Sequence, residues 1–123
     1  MNRHAAIELD WADGKHTFRL GLDELEELEQ KLDTSLFALA RRLHPDVPNA
    51  RTKDIVEILR IGLIGGGKDP ATAFALVRRY VDERPIEENR DMAYAVVLAG
   101  LARVHPAPED DAPGEAPAAK SNA

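Results

Sequence analysis

The stretch Ile58-Leu-Arg-Ile-Gly-Leu-Ile-Gly-Gly-Gly-Lys-Asp-Pro70 constrains the fold more than any other part of the chain. An apolar helical pattern runs into Gly65-Gly66-Gly67 and restarts at Asp69-Pro70. Glycine supplies the left-handed residue at which a helix stops. Asp69 is a good N-cap, and Pro70 suits the first helical position, where its missing N–H costs nothing. A second break follows at Arg84-Pro85, because the residue before a proline is pushed out of the helical region. The C-terminal half therefore reads as three helices separated by sharp stops.

The N-terminal part reads differently. Ile7, Leu9 and Trp11 alternate with Glu8 and Asp10, and Phe18 and Leu20 alternate with Thr17 and Arg19. Asp13-Gly14 between two alternating runs is a strong hairpin signal, since Gly tolerates positive φ. Two strands alone are marginally stable, so the hairpin is expected to pack on helices or to join a partner's sheet.

Helical spacing then takes over. Leu22, Leu25, Leu28 and Leu32 form one stripe, and Asp23 with Glu26 resembles a capping box. A short helix is expected next, with Thr34 or Ser35 as N-cap, Leu36, Phe37, Ala40 and Leu43 facing inward, and a stop near His44. Thr52 is the expected cap of a third, central helix carrying Ile55, Ile58, Leu59, Gly62 and Leu63 on one face. The fourth should bury Phe74, Val77, Tyr80 and Val81. The fifth, over 86–104, should bury Ala93, Val96, Val97, Gly100 and Leu101, with Gly100 permitting close helix contact. Residues 105–123 hold four acids, one base and no large apolar side chain. Such a segment cannot offset its ordering entropy and reads as a disordered acidic tail. The expected fold class is mainly α with an N-terminal β-hairpin (α+β): about five helices, one domain over 1–104, and the tail.

Composition narrows the function. A net charge of −6 argues against a general nucleic-acid binder. The absence of cysteine removes disulfides, thiol catalysis and cysteine-ligated metals. Glu8 and Asp10 interrupt the N-terminus before an apolar run builds, so no signal peptide is expected. No apolar run approaches a membrane span.

Candidate chemical motifs fail on inspection. Gly62 to Lys68 has the spacing of a phosphate-binding loop, but Asp69 stands where a Ser or Thr should hold magnesium, and the run follows a helix rather than a strand. His4, His16, His44 and His105 are scattered and make no zinc motif. Ser35 and Ser121 are the only serines, and neither lies in a nucleophile elbow. His44-Pro45-Asp46 after Arg41-Arg42 resembles the tripeptide of J-domain co-chaperones, although those domains lack an N-terminal hairpin. The simpler reading is a basic helix C-terminus and a proline stop. No enzyme, cofactor or metal site is expected.

The order of these segments resembles a phage-derived family, the small tail-assembly protein of gene transfer agents. The resemblance rests on Leu9-Asp-Trp-Ala-Asp-Gly-Lys-His-Thr-Phe-Arg-Leu20, Leu25-Glu-Glu-Leu-Glu29, Gly62-Leu-Ile-Gly-Gly-Gly67 and the run from Val77 to Pro85, and covers about residues 5–104. It implies a non-enzymatic tail assembly protein in the bacterial cytoplasm, a chaperone of the tape-measure protein that guides tail tube subunits onto it. Tape-measure protein and tube subunits are the implied partners; homo-oligomers are compatible with it, and neither nucleic acid nor membrane is implied. A second reading is a structural tail tube component retained in the particle; tube proteins usually build large paired β-sheets, and one hairpin favours the chaperone. The J-domain-like co-chaperone is a third.

Overall fold

The structure, a computed structural model, describes residues 5–103. The acidic tail expected over 105–123 and the last residue of the expected fifth helix lie outside the described residues. The architecture is α+β: a two-stranded antiparallel hairpin followed by five helices.

Strands β1 (Ala6–Trp11) and β2 (Gly14–Arg19) pair with Trp11 opposite Gly14, Leu9 opposite His16 and Ile7 opposite Phe18. The two loop residues are therefore Ala12 and Asp13, one step earlier than the Asp-Gly pattern suggests. Ala12, at φ 60°, adopts the left-handed conformation, and Gly14 is simply the first residue of β2.

Helix α1 (Leu22–Leu32) starts at Gly21, whose N–H donates to Glu24 Oε1 at 2.9 Å. Asp23 and Glu26 do not make the expected box. Leu28 and Leu32 are buried, but Leu22 is 65% exposed because it sits at the helix's first position, ahead of the packed turns. Helix α2 (Leu36–Leu43) is capped by Ser35, whose Oγ accepts from Ala38 N at 3.0 Å, and stops at His44. Its buried side chains are Leu36, Leu39 and Leu43, while Phe37, expected inside, is 72% exposed. Helix α3 (Thr52–Gly65) takes Arg51, not Thr52, as N-cap: Asp54 reaches back to accept from Arg51 N at 2.8 Å.

Helix α4 (Pro70–Glu83) starts at Asp69, whose Oδ2 accepts from Thr72 N at 3.1 Å. Ala73 and Val77 are its buried residues, and Phe74 is 57% exposed, again contrary to expectation. Arg84 and Pro85 make the corner into α5 (Ile86–Ala102).

Helix α3 lies at the centre and packs against β2, α1, α4 and α5. Its Ile55, Ile58, Leu59, Ile61 and Leu63 join Phe18, Leu20, Leu39, Leu43, Val77, Val96 and Val97 in one continuous core. Burying each of these side chains contributes about 1.5–3 kcal/mol relative to exposure. Gly100 admits both Leu20 and helix α1: a Cβ there would lie 3.0 Å from Leu20 Cβ and 3.6 Å from Leu25 Cδ2.

Candidate functional site

Three polar nodes fix the geometry around which any surface is built. In the first, Trp11 Nε1 donates to Asn89 Oδ1 at 2.8 Å, pinning the hairpin to α5. His16, Phe18 and Tyr80 meet the Trp11 ring edge-on at 5.6, 5.8 and 6.0 Å. Such contacts add to area burial. Asp13 Oδ1 lies 2.7 Å from His16 Nε2, and that hydrogen bond holds the Asp13 carboxyl below the usual aspartate range.

In the second node, fully buried Asp54 meets Arg51 at 2.7 Å and Arg42 at 3.4 Å. Arg51 also donates to the Leu32 carbonyl at 3.0 Å. One carboxylate thereby joins the end of α1, the end of α2 and the start of α3. In the third, buried Arg90 donates to the Leu43 carbonyl and to Glu87 and Asp91, tying the end of α2 to α5. The arginine beside it holds Glu87 below the usual glutamate range. Sequence reading missed Asp54, Asn89 and Arg90. The readable signal was the i,i+3 pairing of Arg51 with Asp54 and Glu87 with Arg90.

The glycine run forms a seam. A Cβ on Gly65 would lie 2.0 Å from the Arg19 carbonyl oxygen, and one on Gly66 would lie 2.1 Å from that of Thr17. The end of α3 therefore rests on the outer edge of β2, backbone to backbone. Gly66 has φ −82°, so it is glycine for space and not for a left-handed turn; only Gly67, at φ 114°, needs that freedom. Gly62 to Lys68 ends a helix, and Lys68 N donates to the Leu63 carbonyl at 3.0 Å. Asp69 and Pro70 stand at the start of α4 and Pro85 at the N-cap of α5.

His44-Pro45-Asp46 opens the loop between α2 and α3. His44 Nδ1 accepts from Asp46 N at 3.1 Å, and its ring meets Tyr94 at 5.7 Å. This loop borders an open, mostly apolar groove of about 540 Å³, lined by Ala38, Val47 and the stems of Arg41 and Arg42. Phe37 stands one turn before Arg41 on α2. On the far helix, exposed Phe74 is flanked by exposed Ala71 and Ala75. These apolar side chains suit contact with another protein better than chemistry on a small molecule.

Among the described residues no group of three or more acids and histidines is placed to hold a metal, and no helix is long and apolar enough to cross a membrane. Ser35 Oγ is engaged as a helix cap, and Ser121, His4 and His105 lie outside the described residues.

No curated protein and no solved structure matches the chain. A family described as "Phage tail tube protein, GTA-gp10" matches residues 4–103, which takes in the hairpin, all five helices and both glycine and proline breaks. The chain belongs to this gene transfer agent tail family.

Proposed function

We propose that this protein is a non-enzymatic component of a phage-like tail, assembling with other tail subunits and retained at the tail tube. The match to a tail tube family over 4–103 carries this reading. The exposed Phe37 on α2, Val47 in the loop after it and Phe74 on α4 support it, since a subunit built between neighbours needs more than one apolar contact surface.

A second reading keeps the protein outside the finished particle as a chaperone of the tape-measure protein. The observation that favours it is the element content. One two-stranded hairpin and five helices offer little strand edge for a tube wall, whereas the groove beside α2 suits the apolar stripe of a client helix.

Quantitative mass spectrometry of purified particles against the producing lysate separates the two. Tens of copies or more per particle are expected for the tube component. Abundance in lysate with absence from particles would sink it in favour of the chaperone. Particles that form normally without the protein would remove both.

A further inference from the structure

The two long edges of the hairpin are unequal. With Trp11 opposite Gly14 across a two-residue loop, every second residue of each strand turns its N–H and C=O away from the partner strand. On β2 these residues are Lys15, Thr17 and Arg19, and Gly65 and Gly66 lie against the carbonyls of Arg19 and Thr17. On β1 they are Ala6, Glu8 and Asp10. Among the described residues no backbone hydrogen bond outside the hairpin ladder reaches these three. On the core face Ile7 and Leu9 of β1 are half-buried, while Trp11 of the same strand and His16 and Phe18 of β2 are buried. Of the three outward-turned residues of β1, Ala6 is buried and Glu8 and Asp10 are exposed. Glu8 and Asp10 project from the opposite face; Asp10 meets Lys15 of β2 at 3.4 Å, and Glu8 has no ion-pair partner among the described residues.

We propose that the outer edge of β1 accepts one extended segment of a partner protein that alternates apolar and basic residues. An added strand aligns its side chains with those of β1 in the same two-residue period. Its apolar residues cover the open flanks of Ile7 and Leu9. Its Lys or Arg residues come beside Glu8 and Asp10, where opposite charges across a strand pair are favourable and like charges are not. The charge pattern disfavours a second copy of this chain, because β1 paired with β1 brings Glu8 and Asp10 against their own kind. It equally disfavours the chain's own residues 105–123, which carry four acids and one base. The covered edge of β2 offers no alternative acceptor. The inference is independent of whether the protein remains in the tail.

A blocked hexapeptide alternating Val and Lys, titrated into the full-length ¹⁵N-labelled protein, tests this. Amide shifts and slowed exchange at Ala6, Glu8 and Asp10 are expected, with α4 unmoved. A Val/Glu hexapeptide should bind roughly tenfold more weakly. Replacing both exposed acids (Glu8→Lys with Asp10→Lys) should invert that preference; loss of the Asp10–Lys15 pair lowers the melt, and a retained single cooperative transition shows an intact fold. Shifts centred away from β1, equal binding of the two peptides, or a β1-centred homodimer in sedimentation would each overturn the proposal; the wild-type peptide comparison decides it even if the double variant fails to fold.

Discussion

At Gly66 a hydrogen is all the side chain that α3 can carry against β2. A methyl group there would sit 2.1 Å from the Thr17 carbonyl oxygen, and backbone on both sides cannot yield as a flexible side chain would. We predict that Gly66→Ala lowers unfolding free energy by about 2–3 kcal/mol through forced separation of helix and strand. Gly67→Ala should cost about 1 kcal/mol, since only its positive φ is at stake. Gly14→Ala should be neutral or slightly stabilising, because nothing lies within 4 Å of a Cβ there. Urea denaturation of the three variants checks the ranking, and equal losses at Gly66 and Gly14 would refute the seam. Asp54 is the other sensitive position. Asp54→Ala removes the α3 cap and leaves Arg51 and Arg42 without their shared acceptor, so a loss of about 2–4 kcal/mol is expected in the same assay.

Among the elements, what was legible in the sequence was local. Asp69-Pro70 and Pro85 act on the residues beside them, and the helix boundaries they mark need no knowledge of the rest of the chain. Ser35 as a cap was legible for the same reason. Side-chain direction in short helices was not. Over the eight residues of α2, the periodicity admits phases with either Phe37 or Leu39 inside, and packing against α5 selects Leu39. Phe74 of α4 was misplaced in the same way, with Ala73 taking the inner position. The reason for Gly66 was also hidden, because its partner carbonyl belongs to a strand distant in sequence. At this scale, Phe37→Ser and Phe74→Ser are expected to leave the melting temperature almost unchanged, since both rings are mostly exposed, while weakening association with tail subunits. A large thermal loss in either would show that the ring is core. Asp69→Ala should lower the melting temperature by about 5 °C through loss of the α4 cap.

For the molecule as a whole, acid is the informative stress. Asp13, Asp69 and Glu87 all ionise below their ordinary ranges, held there chiefly by hydrogen bonds from His16, Thr72 and Arg90 respectively. The unfolded chain therefore binds more protons than the folded one as pH falls toward those lowered values. Their stabilisation is complete above about pH 5 and is lost progressively below about pH 4. Melting temperatures recorded from pH 7 to pH 3 should fall in that window, and Asp69→Asn should flatten the fall. A flat profile in the parent protein would contradict the assignment. Removal of residues 106–123 should leave a single cooperative transition, read by calorimetry. The covered edge of β2 also has a consequence for valence. A hairpin open on both sides is bivalent, and bivalent units propagate sheets without limit. With the α3 glycines seated on one side, each molecule has a single strand-accepting end, so it terminates a sheet rather than extending one and can accumulate at high concentration without seeding fibres.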